Sequence, residues 1–314
     1  MPAADRIHRL SRELAFTAFA PVSQRLRGWI FDRLASAIDE QSLSAGENLF
    51  AEGDPPEVIY FMSEGGVRMT KDGAPPWTFE GRWVLGSHEV LLERPRARTA
   101  VALTDLELVT IRADAWLELV EDSYDTARMI VENTARYLAG VYDQLGEEAF
   151  AAPAAPVSLP LPAEPLNLVE RLLVLCEVAI LRSAGVQALT DLAASADELT
   201  FAPGEDVLAR GVPRDRLFII ADGQVVASRE DPAVVGRFGP GDLVLAAAAL
   251  GESSLAWRAR AVRPTRVLAV RIETFFDEIE EHFDLVRAAM VAMSEERERL
   301  LDRLVRRSPG VVFR

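Results

Sequence analysis

The chain predicts an α+β, mainly β fold: two tandem double-stranded β-roll (jelly-roll-like) domains, each with flanking N- and C-terminal helices. Three observations predict it. The segment Ala45–Met69 recurs without a gap as Pro203–Ala227, and Ala100–Arg112 recurs as Ala259–Arg271. Short runs of alternating apolar character, Val58–Met62, Val67–Thr70, Ala100–Leu103 and Glu107–Ile111, are separated by Gly, Pro and Asp, as in a small roll or barrel. Between the two copies, Ala149–Pro165 carries five prolines and no periodicity, the composition of an extended linker.

The chain has 314 residues, about twice the usual domain length of roughly 100–200. The domains are therefore placed at 1-150 and 166-314, with a Pro-rich linker at 151-165. In the repeat, Gly46–Glu47 matches Gly204–Glu205, Gly53 matches Gly211, Tyr60 matches Phe218 and Gly65 matches Gly223. Glycines recurring between strand-like runs mark turns, where a positive φ carries no Cβ clash.

Helical lead-ins are expected over Asp5–Asp39 and Leu166–Ser195, and closing helices over Ala113–Leu145 and Glu273–Arg307. In the last of these, Ile279, Phe283, Val286, Met290, Met293, Arg297, Leu300 and Leu304 follow alternating spacings of four and three, a heptad seam interrupted by Arg297. Its first half suits packing on its own roll. The charged stretch around its later leucines suits a partner helix, so a homodimer through the C-terminal helix is expected.

Composition excludes several classes. With 49% hydrophobic and 26% charged residues the chain can bury a core. The net charge of −15 disfavours DNA and an anionic membrane surface as partners. Cys176 is the only cysteine and His8, His88 and His282 are the only histidines, so no metal site or cofactor is expected and a cytoplasmic location fits. No Walker loop, dinucleotide glycine fingerprint or nucleophile elbow occurs, and the chain is read as no enzyme.

One cassette carries chemistry. Leu85–Ala100 reads LGSHEVLLERPRARTA, following a GE-x-LF-x-EGD turn at Gly46–Asp54 and YF-x-x-x-G-x-V at Tyr60–Val67. These motifs resemble the cyclic-nucleotide-binding domains of catabolite-activator-type regulators, kinase regulatory subunits and gated channels. The resemblance implies that Gly86 and a short helix after it offer backbone amides to a cyclic phosphate. Arg96 would close the clamp, with Ser87, Ala97 and Thr99 beside it. A singly charged phosphodiester suits such a site, because amides at a helix start and one guanidinium both favour negative charge. Ala97 resembles the cAMP-selective pattern, so cAMP or a related cyclic nucleotide is the ligand implied.

Two departures predict weaker binding or a different ligand. Ser87 stands where the family places a ribose-binding glutamate, with Glu89 expected to point elsewhere. Arg98 stands where the family has alanine. For Arg96 a second reading is a surface arginine paired with Glu89 or Glu93, and His88 reads as an exposed cassette residue. In the second copy Gly86 falls on Leu245 and Arg96 on Leu255, or on Ala246 and Ala256 after a shift of one. Both phosphate determinants are missing, and Trp257 with an alanine run predicts a filled apolar pocket or a packing surface. Two functions follow: a regulatory sensor that relays ligand binding to a protein partner by helix movement, or an adaptor with both copies degenerate.

Overall fold

The computed structural model describes residues 37–150, 161–162, 165–182, 184–212, 215–229, 236–251 and 257–314. The first roll begins with strands β1 (Ile38–Leu43), β2 (Asn48–Phe50), β3 (Val58–Met62), β4 (Gly66–Lys71), β5 (Ala74–Glu80) and β6 (Trp83–Leu85). A one-turn helix, α1 (Ser87–Leu91), precedes β7 (Thr99–Ala102) and β8 (Leu106–Arg112). Antiparallel pairing arranges one sheet as β1-β8-β3-β6, while β5, β4, β7 and β2 are consecutive neighbours in the other. Ile59, Val67, Trp77, Leu108 and Ile111 are fully buried; Leu108 and Ile111 lie on opposite faces of β8, which is covered on both sides over Leu108–Ile111.

Each expected closing helix is two helices. The first is α2 (Ala113–Asp122) and α3 (Tyr124–Leu145), broken at Ser123, whose backbone is extended (φ −132°, ψ 96°). A 3-10 turn, Gly146–Ala149, ends it. The lead-in to the second roll is α4 (Leu168–Glu177), a 3-10 turn at Ala179–Leu181 and α5 (Val186–Ser195). Asn167 starts α4 with a capping box, accepting from the amides of Val169 and Glu170 while Glu170 accepts from the Asn167 amide.

The second roll comprises β9 (Asp197–Phe201), β10 (Asp206–Leu208), β11 (Arg216–Asp222), β12 (Val225–Ser228), β13 (Gly236–Phe238), α6 (Ala246–Leu250), β14 (Arg258–Ala261) and β15 (Thr265–Arg271). Its sheets run β10-β14-β12-β13 and β11-β15-β9. The closing helices are α7 (Ile272–Glu281) and α8 (Phe283–Arg307), broken at His282 (φ −130°, ψ 88°), the position equivalent to Ser123. The repeat thus preserves even the helix break.

Strand β16 (Val312–Phe313) ends the chain and pairs in parallel with β5, Val312 against Thr78 and Phe313 against Phe79. Contacts divide the chain into two units, Met1–Ile130 with Leu301–Arg314, and Val131–Leu300. The C-terminal residues therefore belong to the first roll's unit, which chain order did not predict.

Two expectations are corrected. The first lead-in falls mostly outside the described residues, and its end, Ile38–Asp39, is strand. The seam offered to a second copy is covered by the chain itself: Val286, Met290, Met293, Leu300 and Leu304 are all buried. A stripe already removed from water gains little by pairing again. Arg297, the break in the seam, lies over the Tyr137 ring at 5.0 Å.

Candidate functional site

The first cassette is built where β6 turns into α1. Gly86 caps α1 with a left-handed backbone (φ 82°), and a Cβ there would lie 2.5 Å from Arg96 Nη1, so this position needs glycine twice over. The segment leading into β7 is pinned to the turn after β2. Arg96 N–H donates to the Asp54 carbonyl and Gly53 N–H to the Arg96 carbonyl, both at 2.8 Å, while Thr99 Oγ1 accepts from the Glu52 amide at 3.0 Å. These bonds tie the repeated EGD turn to the arginine.

Arg96 is buried, 3% exposed, so it is not a surface arginine, although the pairing with Glu89 that the second reading gave it is present. Its Nη1 donates to the Gly86 carbonyl at 2.6 Å and its Nη2 to the Val58 carbonyl. The guanidinium lies over the Phe50 ring at 4.6 Å. Tyr60 is close by, donating to the Leu49 carbonyl at 2.9 Å; burial pushes its hydroxyl above the usual range and the Arg96 charge opposes that.

Glu89 does not point elsewhere. It is buried, with Oε2 at 3.5 Å from Arg96 Nη1 and Oε1 at 3.6 Å from Arg98 Nη1. Arg98, the apparent misfit, is buried over the Trp77 ring at 5.4 Å and reaches Asp302 Oδ1 at 3.5 Å. Lys71, the single lysine of the chain, meets Asp302 Oδ2 at 3.0 Å. His88 is also buried rather than exposed. The structure therefore brings Gly86 and Arg96 into contact and sets Ser87, Ala97 and Thr99, all half-buried, along the same cassette. It adds Glu89, Arg98, Lys71 and Asp302. Spacing on α1 could have flagged Glu89; no local signal could have flagged Asp302.

In the second roll Leu245 occupies the place of Gly86, capping α6 in the same left-handed region (φ 52°). The alignment on Leu245 is the one that holds, and its counterpart to Arg96, Leu255, lies outside the described residues. Phe150 packs its ring against Phe238 and Trp257, with centroids 5.8 and 5.6 Å apart. A Cβ on Gly236 would sit 2.5 Å from that ring. Trp257 is buried and its Nε1 donates to Asp143 Oδ1 at 2.8 Å. Beside the second cassette the described residues thus form an aromatic cluster of Phe150, Phe238 and Trp257.

The description "Cyclic nucleotide-binding domain" matches residues 40–123 and 198–282, more than half of the chain. The chain belongs to the cyclic nucleotide-binding domain family. Each matched family repeat starts in the first strand of its roll and ends at the helix break, Ser123 or His282. Over 116 residues the chain is 28% identical to a cAMP-dependent protein kinase regulatory subunit of Aspergillus niger, covering 36% of this chain and 28% of that protein. Over 200 residues it is 22% identical to a cAMP-dependent protein kinase regulatory subunit of Dictyostelium discoideum, covering 62% of this chain and 49% of that protein. The chain thus spans about half or less of the length of these curated relatives. A solved regulatory domain of Toxoplasma gondii PKA with cAMP matches at 18% identity and TM-score 0.33, over 93% of this chain and 97% of that one. Among the described residues no helix is long and apolar enough to cross a membrane.

Proposed function

We propose that this protein is a regulatory, non-catalytic sensor whose first roll takes a cyclic nucleotide such as cAMP on Gly86, Ser87, Arg96, Ala97 and Thr99. One observation carries the reading: a buried guanidinium held against the cassette glycine and opposed by a carboxylate, Glu89, that a phosphate can replace. A phosphodiester entering the cassette competes with Glu89 for Arg96, since both are planar or forked acceptors of the same charge-assisted bonds. Glu89 released from Arg96 turns to Arg98, which then needs Asp302 less. Binding is thereby coupled to the end of α8, which bears Asp302, and a coupling of this kind requires two arrangements of that segment with different ligand affinity.

The names of the curated relatives support a kinase-type catalytic chain as the protein partner class. The net charge of −15 supports a protein partner over DNA or a membrane surface, and a single cysteine, which can form no intramolecular disulfide, supports a cytoplasmic site of action. Family membership favours sensing over the adaptor reading.

Calorimetric titration of cAMP and cGMP into the full chain tests the proposal, with Arg96→Ala and Arg96→Lys as controls. Expected is binding tighter than millimolar, lost in Arg96→Ala and weakened at least tenfold in Arg96→Lys, which keeps the charge but loses the fork. Absence of binding below millimolar, or binding indifferent to both substitutions, overturns it.

A further inference from the structure

The second roll, having lost the clamp, keeps an open space. A cavity of about 240 Å³ lies beside Phe150 and is lined by residues that all belong to the second unit. That is far more than the roughly 10–15 Å³ one water needs, and an apolar cavity of about 150 Å³ already holds benzene. Its walls are aromatic and aliphatic: Tyr142, Phe150, Phe238, Trp257 and Met293, with Ala247 and its alanine neighbours on α6. Those alanines hold one wall back by having nothing beyond Cβ. Leucine at the same helical positions would fill the space, as close-packed interiors normally do.

Charge decides what fits. The charged side chains lining the cavity are the carboxylates of Asp242 and Glu296; Arg299, which is not on the lining, pairs with Glu296 from behind. Glu296 accepts from the Tyr142 hydroxyl and from Arg299 Nε at 2.7 Å, which fixes its orientation on the wall. Burial first, and Glu296 second, raise the Tyr142 hydroxyl far above its ordinary range, so it remains a donor to Glu296. A carboxylate oxygen accepts more than one bond, so Glu296 retains capacity for a further donor. An anion finds no arginine or lysine among the described residues of this lining to pair with, whereas a flat apolar body stacks on Trp257 and Phe150.

We propose that the second roll binds a neutral, mostly apolar aromatic molecule bearing one N–H or O–H donor, held in this cavity between α6, α3 and α8 with its donor toward Glu296. The site is distinct from the anion cassette, and its ligand class is the opposite of the one the cassette suits.

The test uses the full chain and the neutral fluorescent probe phenyl-naphthylamine, which carries one N–H, beside its sulfonated analogue anilinonaphthalene sulfonate. Expected is saturable binding of the neutral probe at one site, at least tenfold weaker binding of the sulfonate, and no displacement by cAMP. Ala292→Trp on α8 and Ala247→Phe on α6 fill the cavity from two walls, and each should weaken the neutral probe at least tenfold. Should Ala292→Trp fail to fold by circular dichroism, Ala247→Phe carries the same test. Non-saturable binding, a sulfonate bound as tightly, displacement by cAMP, or affinity unchanged in the folded filled variants overturns the proposal. Because the cAMP titration reads Arg96 and the probe reads Ala292 and Ala247, failure of either proposal is told apart from failure of the other.

Discussion

Asp302 Oδ1 stands 3.5 Å from Arg98 Nη2, and its other oxygen 3.0 Å from Lys71 Nζ, so a carboxylate from the last turns of α8 ends a run of charges that begins at the cassette arginine. The run goes Arg96, Glu89, Arg98, Asp302, Lys71. Its first three members are at most 5% exposed, where charges interact strongly and an unpaired one is costly. The outer two are partly wet and correspondingly weaker.

Removing the outer carboxylate therefore loosens the C-terminal segment without unfolding the roll. Asp302→Asn is expected to cost about 0–1 kcal/mol, the range for partly exposed pairs. Amide exchange over 301–314 should accelerate, and cAMP affinity should rise because Glu89 is then drawn to Arg98. Exchange and affinity both unchanged would break the proposed coupling.

Gly86 and Leu245 share one left-handed position, and substituting either destabilises for a different reason. Gly86→Ala places a Cβ in a left-handed backbone, at about 1–2 kcal/mol, and against Arg96 as well, so stability falls and nucleotide binding is lost. Leu245→Gly relieves the same backbone strain but removes a buried side chain, a loss of about 2–5 kcal/mol, and is net destabilising. Urea denaturation of the two variants measures both.

Phe313 anchors the chain end. It is 7% exposed, with its ring centroid 5.2 Å from Phe79 and 6.2 Å from Trp83. Phe313→Ala should cost about 3 kcal/mol and shift the Trp83 fluorescence to the red as water reaches the indole. A denaturation midpoint like that of the parent would mean that β16 contributes nothing to the first unit.

Glu278 supplies a pH signature. Burial first, then the Asp191 charge, raise its carboxyl above the ordinary range, against the opposing pull of His282 at 3.8 Å. The folded state thus keeps this proton to a higher pH than the unfolded chain does. Stability from this group is greatest below the unfolded value and falls as pH rises through the folded one. Glu278→Gln should therefore melt above the parent at neutral pH, with the difference vanishing in acid; a variant that melts lower at neutral pH contradicts the assignment.

Much of the architecture was legible because it is repeated and local. The matched glycines, the alternating strands and the ten-residue spacing from Gly86 to Arg96 depend on neighbours in sequence, and the structure places all of them as turns, strands and a contacting pair. The helix breaks at Ser123 and His282 were missed, since apolar spacing runs through both. The places of Glu89 and Arg98 are not legible locally, because each depends on the other and Arg98 also on Asp302, far away in sequence.

A duplicated β-roll, and which copy keeps the cassette's glycine and arginine, are readable from the residues alone. Only tertiary structure decided that Arg96 and Arg98 share Glu89, that Asp302 closes on Arg98 from more than two hundred residues away, and that the second roll carries a partly open, mostly apolar cavity. The physical reason is one of range. Turns and strands follow from φ, ψ and the alternation of side chains along a few residues, whereas charge pairing and cavities depend on distances that chain separation does not encode.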